Sequence, residues 1–292
     1  MNKKNKIFWI ASYPKSGNTL MRAIIASLFF TKTGQFKDFN LLSTVPNFDI
    51  SERILFIKEY NIHDYNKLSD LYILSKYWHK IQNKYLESVE GNCFFKTHSA
   101  LVTVKNNQFT NKELTKGFFY LVRDPRDIAI SYATHLNIDI DSSIQKMINS
   151  DQAFKYANYN LLNNEKIVPK GIQASWDIHI KSWTLFDTPK MIIKYEDMII
   201  DKEKIIKDII LFFKKNFKIE FDNIENKIIN IINTTSFDNM EKLEIENGFK
   251  EIKTKKFFNV GKKEQWKKIL NQNQIKLIEK NFKKEMINFG YL

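Results

Sequence analysis

Four short apolar runs divide the chain, and within each run the apolar residues follow one another without regular alternation. The runs cover residues 6–13, Cys93–Thr97, 117–122 and 191–195. Strands that are covered on both faces have this pattern, because neither side of their sheet meets water. Segments with helical spacing, such as Asn18–Phe30 and 172–185, separate the runs. The pattern predicts an α/β fold, with a single domain, a central parallel sheet and helices on both faces of that sheet.

The rest of the chain is mostly helical or weakly patterned. Spacing near 3.6 residues recurs at 201–217, 223–233, 236–243 and 272–289. Residues 247–259 are charged and have little periodicity, which indicates a mobile loop. Residues 34–90 are rich in aromatic side chains and contain no clear strand. We interpret residues 34–90 as an insertion between the first two strands of the sheet.

The composition favours a protein with one large domain, no intrachain disulfide and no membrane segment. The chain has 292 residues, 43% of them apolar, which suffices for one large domain with a full core, so residues 1–292 are read as one domain. The single cysteine, Cys93, cannot form an intrachain disulfide, which favours a reducing, cytoplasmic location. No segment approaches the roughly 18 consecutive apolar residues of a membrane helix, so we expect no integral membrane segment. The apolar stretch after the first lysines is too short for a secretory signal and is read as a strand.

The net charge of +13 is compatible with nucleic acid, an anionic membrane surface or an anionic small molecule. Most of this charge comes from lysines scattered along predicted helices, which is typical of an ordinary solvated surface. The chain has four arginines, and two of them, Arg123 and Arg126, lie within one tetrapeptide. The planar guanidinium suits phosphate and sulfate oxygens, so these two arginines are more informative than the scattered lysines. We expect no nucleic acid as a partner.

Ligands of open α/β sheets bind beyond the carboxyl ends of the strands, so the loops after the four apolar runs are expected to line one site. The first loop contains Lys15, Ser16, Gly17, Asn18 and Thr19 at the point where a strand passes into a helix. Backbone N–H groups and the positive end of the helix dipole bind anions there. The lysine precedes the glycine, unlike the order in G-x-x-x-x-G-K-[ST], so hydrolysis of a nucleoside triphosphate is not the first hypothesis. The alternative for this loop alone is a capped helix with a surface lysine.

The loop after residues 117–122 carries the two arginines. Asp124 is predicted as the N-cap of a helix, with Pro125 as its first residue and Asp127 in its first turn. Helix capping explains neither arginine. Arg123 is expected to face the same region as Lys15. Ser131 lies two turns along the helix on the side of the cap, so that a guanidinium and a hydroxyl could share one phosphate.

The end of the run Cys93–Thr97 contains Lys96, and His98 follows it directly, in the same layer as Lys15 and Arg123. A neutral imidazole with an ordinary pKa near 6.5 is suited to accept a proton from a hydroxyl at neutral pH. The alternative is a structural histidine, the commoner role of a lone histidine. The other histidines have no comparable setting and lack metal-ligand spacing, so we predict no metal site. They are His63, His79, His135 and His179.

Six motifs, taken in order, resemble the cytosolic-type sulfotransferases, which use 3′-phosphoadenosine 5′-phosphosulfate (PAPS) as donor and release PAP. The resemblance covers residues 8 to about 268, and six motifs in order are highly specific together. The motifs are Tyr13-Pro14-Lys15-Ser16-Gly17-Asn18-Thr19, Lys96-Thr97-His98, Arg123-Asp124-Pro125-Arg126-Asp127 with Ser131-Tyr132, Tyr195-Glu196-Asp197-Met198, Thr235-Ser236-Phe237, and the segment from Gly261 to Trp266.

The resemblance implies a P-loop-like fold, shared with nucleotide kinases, and a role for each matched residue. Lys15, Ser16, Gly17, Asn18 and Thr19 would wrap the 5′-phosphosulfate. Arg123 and Ser131 would bind the 3′-phosphate. The adenine would be surrounded by Tyr195, Thr235, Ser236 and Phe237. His98 would be the catalytic base, and Lys96 and Lys15 would assist at the transferred group. Asn259 and Gly261 would belong to a late loop, within 247–268, that closes over the donor. The sulfuryl group carries one charge, so no magnesium is required.

The chain departs from the family pattern at three positions. Asn259 replaces the arginine that usually grips the 3′-phosphate, and Glu264 replaces the second glycine of the late motif. Leu20 stands where a tryptophan commonly sandwiches the adenine. Loss of one charge-assisted contact would weaken donor binding by about 1.5 to 3 kcal/mol unless Lys262 or Lys263 compensates.

Two other functions are compatible with parts of this sequence. A nucleotide or nucleoside kinase would share the fold but would need a Walker lysine and magnesium ligands, which the sequence does not provide. A non-catalytic basic protein that binds nucleic acid or a membrane surface would show steep salt dependence. The acceptor is expected to be a hydroxyl of a small alcohol, phenol or carbohydrate, in a pocket formed partly by residues 34–90. Aromatic side chains in that insertion would line the pocket or simply belong to the core; they are Phe48, Phe56, Tyr60, Tyr65 and Tyr77. The sequence leaves the acceptor and the oligomeric state open.

Overall fold

The computed structural model describes residues 5–49, 71–150, 153–155, 159–160, 166–167, 170–249 and 263–292. Within these ranges the strands are β1 (Ile7–Ser12), β2 (Cys93–Thr97), β3 (Thr103–Val104), β4 (Asn107–Gln108), β5 (Thr115–Val122), β6 (Ala153–Lys155), β7 (Tyr159–Asn160), β8 (Lys166–Ile167), β9 (Lys170–Ile172) and β10 (Lys190–Lys194). Four of them form the central sheet, in the order β10-β5-β1-β2, and every neighbouring pair is parallel. The remaining strands form two-stranded antiparallel pairs, β3 with β4, β6 with β9, and β7 with β8.

The central strand β1 shows why the apolar runs do not alternate. All six of its residues are buried. Trp9 faces one layer of the core together with Phe95 and Phe118, its partners in the neighbouring strands. Phe8 faces the opposite layer. Both faces of the sheet therefore need apolar side chains, and the predicted parallel α/β arrangement is confirmed.

Helices cover both faces. They are α1 (Asn18–Phe30), α2 (Leu71–Ser75), α3 (Trp78–Ser88), α4 (Pro125–Leu136), α5 (Ile140–Ile148), α6 (Trp176–Thr184), α7 (Tyr195–Ile200), α8 (Lys202–Phe217), α9 (Ile224–Thr234), α10 (Phe237–Asn247), α11 (Trp266–Ile269) and α12 (Gln272–Asn288), with a 3₁₀ helix at Phe39–Thr44. One core layer receives side chains from α3, α4, α5, α6 and α12, and the other receives them from α1, α8 and α9. No helix among the described ranges is both long enough and apolar enough to cross a membrane.

Two predicted boundaries were wrong for local reasons. The helix predicted over 172–185 begins only at Trp176, because Lys170–Ile172 pairs with Ala153–Lys155 and Ser175 occupies the N-cap position. The last apolar run ends as a strand at Lys194, and Tyr195 already opens a short helix. Tyr195 therefore points its ring from a helix N-terminus rather than from a strand.

The aromatic insertion contributes to the core. Phe48 is fully buried and meets the Trp9 ring edge-on, with ring centroids 5.1 Å apart. Tyr77 packs against the same core from a partly buried position. Phe56, Tyr60 and Tyr65 lie outside the described residues, so their assignment to a pocket or to the core stays a prediction. Within the described ranges, the insertion contributes helices and one isolated bridge from Asn47 to Lys96.

Candidate active site

The carboxyl ends of the central strands bring three loops of the predicted site into contact. Nη1 of Arg123, after β5, donates a hydrogen bond to the backbone oxygen of Lys15, after β1, at 2.9 Å. Nδ1 of His98, after β2, lies 3.0 Å from the backbone oxygen of Ser12. Parallel strands end at one edge of the sheet, so residues far apart in sequence meet there.

The loop after β1 leaves polar groups available at the start of α1. Lys15 and Gly17 both adopt positive φ angles, of 68° and 94°, which turn the chain sharply into the helix. No side chain caps the N-terminus of α1, and its first turn contains no acidic residue. The Ser16 hydroxyl is fully buried and has no hydrogen-bond partner. These features match an anion site, because the unsatisfied donors of a helix N-terminus attract negative charge.

Asn18 fixes this loop to the sheet. Its side-chain amide donates to the backbone oxygen of Ile10 at 3.3 Å and to the hydroxyl of Ser12 at 3.1 Å. Its Oδ1 atom is buried without a partner. Thr19 follows in the first turn of α1 and is partly exposed. Asn18 therefore connects the start of α1 to strand β1.

Gly17 is required by a close approach as well as by its φ angle. A Cβ atom at this position would lie 2.6 Å from Cδ2 of Tyr195 and 2.9 Å from Cε of Met198. The Tyr195 ring in turn lies under the Arg123 guanidinium, whose Cζ is 4.4 Å from the ring centroid. The start of α7, with Tyr195, therefore packs beside the first and third loops.

Positive charges crowd this edge of the sheet. Burial is the first cause that lowers the pKa of Lys15 to about 8, and the charges of Arg123 and Lys96 lower it further. Lys96 is 7% exposed. Like charges in a partly desolvated site repel one another, and a bound anion relieves that repulsion. The cluster is thus electrostatically prepared for a polyanion.

His98 is oriented with one nitrogen toward the backbone and the other toward Lys96. A carbonyl oxygen can only accept a hydrogen bond, so the contact with Ser12 places the proton on Nδ1. Nε2 is then the basic nitrogen, 3.4 Å from Nζ of Lys96. Burial, followed by the Lys96 charge, holds the pKa of His98 well below its usual range. The imidazole is neutral at physiological pH and can accept a proton.

The two arginines of the third loop differ in their partners. Arg123 has a buried Nε atom without a hydrogen-bond partner and faces the site. Arg126 turns away and pairs with Asp124 and Glu279, at 2.8 Å each. Asp124 caps α4 as predicted, by accepting from the backbone N–H of Arg126 at 2.9 Å. Ser131 lies on α4 and is partly exposed.

Asp127 does more than the predicted helix-terminus role. Its carboxylate accepts backbone hydrogen bonds from Glu264 at 2.7 Å and from Trp266 at 3.0 Å. Glu264 adopts a φ of 59°, which explains why the family pattern favours glycine at this position. Asn259 and Gly261 lie outside the described residues, and their predicted contact with the donor stays a prediction. Asp127 thus anchors the chain immediately after that segment.

The predicted adenine segment lies at the start of α10. Ser236 is the N-cap of this helix and accepts from the backbone N–H of Asn239 at 3.3 Å. Phe237 is partly exposed, whereas Thr235 is buried and donates its hydroxyl proton to the backbone oxygen of Ile231 at 2.6 Å. Leu20 packs with residues of α10, including Met240, in a small apolar cluster. This packing places the start of α10 beside α1.

Three site residues escaped sequence reasoning. Asp49 lies buried beneath the His98 loop and accepts a hydrogen bond from the His98 backbone N–H at 3.0 Å. His179 donates to the His98 carbonyl at 3.0 Å. His135, on α4, is exposed, and partial desolvation followed by the charges of Lys15 and Lys96 lowers its pKa. His135 and His179 both lie within helices and not directly after a strand, but the contact of His179 with the His98 backbone was not anticipated. The available sequence signal was the apolar helical face that His179 shares with Trp176 and Trp183.

The sulfotransferase domain family matches residues 5–290. The chain belongs to the sulfotransferase family. A curated relative, the luciferin sulfotransferase of Photinus pyralis, is 25% identical over 236 residues. That alignment covers 80% of this chain and 56% of the relative, so the chain spans little more than half of the relative's length.

Solved structures share the fold of this chain. A mouse sulfotransferase complexed with PAP matches with a TM-score of 0.56 and 18% identity, over 97% of this chain and 84% of the other. Retinol dehydratase in complex with androsterone and PAP matches with a TM-score of 0.58 and 18% identity, over 96% and 80% of the two chains. At this identity the likeness concerns the fold alone.

The described residues fit a phosphorylated nucleotide. The Ser16 hydroxyl and the Arg123 Nε are buried donors without partners. The absence of a side chain at Gly17 lets the Tyr195 ring and Met198 approach the start of α1. Within the described ranges, no group of three or more potential metal ligands occurs.

Proposed function

We propose that this protein transfers a sulfuryl group from PAPS to a hydroxyl group of an acceptor. The observation that carries the proposal is the anion site at the start of α1. There, Nη1 of Arg123 donates to the Lys15 backbone oxygen at 2.9 Å, and the buried Ser16 hydroxyl lacks a partner. Membership of the sulfotransferase family supports the choice of a phosphosulfate over other anions.

The 5′-phosphosulfate would be held by the loop from Lys15 to Thr19. Backbone N–H groups of the uncapped α1 terminus and the Ser16 hydroxyl would donate to its oxygens. Lys15 would supply a compact positive charge near the oxygen between phosphorus and sulfur. An anion at this position raises the pKa of Lys15 and keeps its ammonium charged.

The nucleotide part would lie between the third loop and α10. Arg123 and Ser131 would bind the 3′-phosphate, with the unpartnered Nε of Arg123 as one donor. Tyr195 and the segment Thr235, Ser236 and Phe237 would surround the adenine. Asn259 and Gly261 would complete the donor site from the late loop that follows α10.

The chemical step needs a base and stabilisation of charge more than covalent help. The acceptor oxygen forms a bond to sulfur as the bond from sulfur to the phosphate oxygen breaks. That oxygen keeps the electron pair and leaves as part of PAP. The acceptor proton passes to Nε2 of His98, the nitrogen that the Ser12 contact leaves basic. Lys96, beside that nitrogen, stabilises the negative charge that develops nearby.

The acceptor would be a small alcohol, a phenol or a carbohydrate. His98 lies next to the insertion, whose Phe48 packs behind the sheet. Retinol dehydratase is the structural neighbour described with androsterone and with retinol. An alcohol on an apolar skeleton is therefore the first acceptor class to screen with labelled PAPS. We further propose a cytoplasmic location, in keeping with the single buried thiol of Cys93.

The experiment that tests the donor site is calorimetric titration with PAP, with ATP plus magnesium as the comparison. We expect micromolar affinity for PAP, which is a binding free energy of about −8 kcal/mol, and little affinity for ATP. Lys15→Met is expected to weaken PAP binding. Lys76→Met, at an exposed lysine directly after α2, serves as the matched control. Equal affinity of the wild type for ATP and PAP would contradict the proposal, and so would the absence of PAP binding.

A further inference from the structure

We propose that Asp49 and His179 are positioning residues that hold the backbone of His98 from its two sides and thereby aim its imidazole. The inference rests on the proposed function, because it treats His98 as the base of the transfer reaction. Neither residue belongs to the motifs that identify the family in this sequence. Both act through His98 rather than on a substrate.

Asp49 binds three consecutive residues of the His98 loop with one carboxylate. Its Oδ1 accepts from the Thr97 hydroxyl at 2.7 Å and from the Ser99 hydroxyl at 2.9 Å. Its Oδ2 accepts from the His98 backbone N–H at 3.0 Å. Asp49 is 2% exposed, so these bonds form away from water. Charge-assisted hydrogen bonds are the strong ones, and here they fix the path of the chain where β2 ends.

His179 binds the same residue from the opposite side. Its Nε2 lies 3.0 Å from the His98 carbonyl oxygen and must donate, because that oxygen can only accept. Its Nδ1 then accepts from the Tyr120 hydroxyl at 2.8 Å. His179 is fully buried, and burial lowers its pKa to about 4. The neutral ring with this one tautomer therefore persists at physiological pH.

The imidazole of His98 has a third constraint. Its Nδ1 meets the backbone oxygen of Ser12 at 3.0 Å and the Ser12 hydroxyl at 3.2 Å. With the peptide N–H, the carbonyl and Nδ1 all held, Nε2 keeps one direction. Displacement of a reacting group by about 1 Å can cost on the order of 100-fold in rate, so such constraints matter for a base.

Substitutions with matched shapes separate positioning from folding. His179→Gln keeps an N–H donor near the original Nε2, whereas His179→Met has similar bulk and no donor. Asp49→Asn keeps the shape and loses the charge and one acceptor. His79→Gln changes a partly buried histidine on α3 and serves as the control. Tyr120→Phe removes only the hydroxyl that sets the His179 tautomer.

The first readout is the ring nitrogens of His98 in NMR spectra of protein with ¹⁵N-labelled histidine, assigned by His98→Asn. The wild type is expected to show one protonated nitrogen, Nδ1, and one unprotonated nitrogen. In His179→Met and Asp49→Asn, the two nitrogen shifts are expected to move toward each other as tautomers mix. His179→Gln and His79→Gln are expected to keep the wild-type shifts. This measurement needs neither donor nor acceptor.

The second readout is transfer from labelled PAPS. We expect His179→Met and Asp49→Asn to lower kcat at least about tenfold, with the Kd for PAP within about twofold of wild type. We expect His179→Gln to recover most of the lost kcat. If either variant fails to unfold cooperatively, and so is not properly folded, Tyr120→Phe takes its place in both readouts. Tyr120→Phe is expected to show a smaller change in the same direction.

The two hypotheses fail in different ways. Unchanged His98 nitrogen shifts in both His179→Met and Asp49→Asn would overturn the positioning role, and so would a loss of kcat that only follows a loss of PAP affinity. A wild type that does not bind PAP would overturn the proposed function, while the nitrogen shifts would still decide whether Asp49 and His179 set the orientation of His98.

Discussion

The Arg126 guanidinium pairs with two carboxylates, whereas that of Arg123, three residues earlier, has no ion pair among the described residues. Arg126 donates to the carboxylates of Asp124 and Glu279 and to the backbone oxygen of Tyr291, each at 2.8 Å. Its Cζ also lies 3.7 Å from the centroid of the Trp266 ring. Arg123 has one hydrogen bond to a backbone oxygen, a stacked Tyr195 ring and a buried Nε without a partner.

The comparison separates a charge that stabilises the fold from a charge to which the proposed function assigns an anionic ligand. The carboxylates around Arg126 neutralise it and connect α4 to the C-terminal helix α12. Near Arg123 the charge of Lys15 has the same sign. The carboxylates of Asp127 and Glu196 also interact with the Arg123 guanidinium, but among the described residues neither forms an ion pair with it. A cation with carboxylate partners stabilises the protein, whereas cations that crowd one another gain most from an anion supplied in solution.

The largest effect is expected for Arg126→Met. Removal of the guanidinium leaves the carboxylate of Asp124 buried and unpaired and detaches Glu279. Breaking a buried ion pair in this way costs about 3 to 5 kcal/mol. Urea unfolding should show this loss of free energy of unfolding, and a loss below about 1 kcal/mol would contradict the structural role.

Burial also determines how His179 binds protons. His179 is fully buried, and burial lowers its pKa to about 4, from an ordinary value near 6.5. The unfolded chain therefore binds a proton that the folded protein refuses between these values, so stability falls as the pH falls from 6.5 toward 4. His179 alone should contribute a loss of about 3 kcal/mol by pH 4.

Denaturant unfolding as a function of pH checks this prediction. His179→Gln should be less sensitive to acid over that range than the wild type. His79→Gln is the control. It should keep most of the acid sensitivity of the wild type, because the fully buried His179 is unchanged. Identical pH profiles for wild type and His179→Gln would contradict the assignment.

Arg123→Met is expected to act on binding and not on folding. Loss of a charge-assisted contact with a phosphate should weaken PAP binding by about 1.5 to 3 kcal/mol, which is roughly 10-fold to 100-fold in Kd. The free energy of unfolding should change by less than about 1 kcal/mol, because the side chain lacks a carboxylate partner of the kind that Arg126 has. Calorimetry with PAP and urea unfolding on the same preparation measure both quantities. A variant that loses stability and keeps affinity would reverse the roles of the two arginines.

The smallest effect is expected for Glu264→Gly, at the residue that Asp127 holds near Arg126. Glu264 has a φ of 59°, a conformation that glycine adopts without steric cost. The change also removes an exposed ion pair with Lys267, of little value for stability. The midpoint of thermal unfolding should rise by about 2 °C. Glu264→Ala, which keeps the steric cost and loses the ion pair, should not raise the midpoint.

The sheet could be predicted because each central strand is a local signal. The run Cys93–Thr97 and the helix Asn18–Phe30 were predicted with the bounds that the structure has. The boundary at Tyr195 was wrong because the following helix starts within the apolar run. The run itself carries no mark of where strand hydrogen bonds end and helical ones begin.

Candidate site residues were predictable to the extent that they follow strands. Lys15, His98 and Arg123 each lie directly after an apolar run, and their loops do meet. Asp49 and His179 could not be found in this way. They reach His98 across 49 and 81 positions of the chain, from an insertion and from the buried face of a helix.

The sequence by itself determined the class of fold, the edge of the sheet where the site lies and the residue types that gather there, because apolar runs and the residues after them are local properties. Only the tertiary structure decided which charges are neutralised. Arg126 meets Glu279 across 153 positions, and Arg123 meets Lys15 across 108. Electrostatic energy depends on distance and burial rather than on order along the chain, so two arginines three residues apart in one motif have different partners.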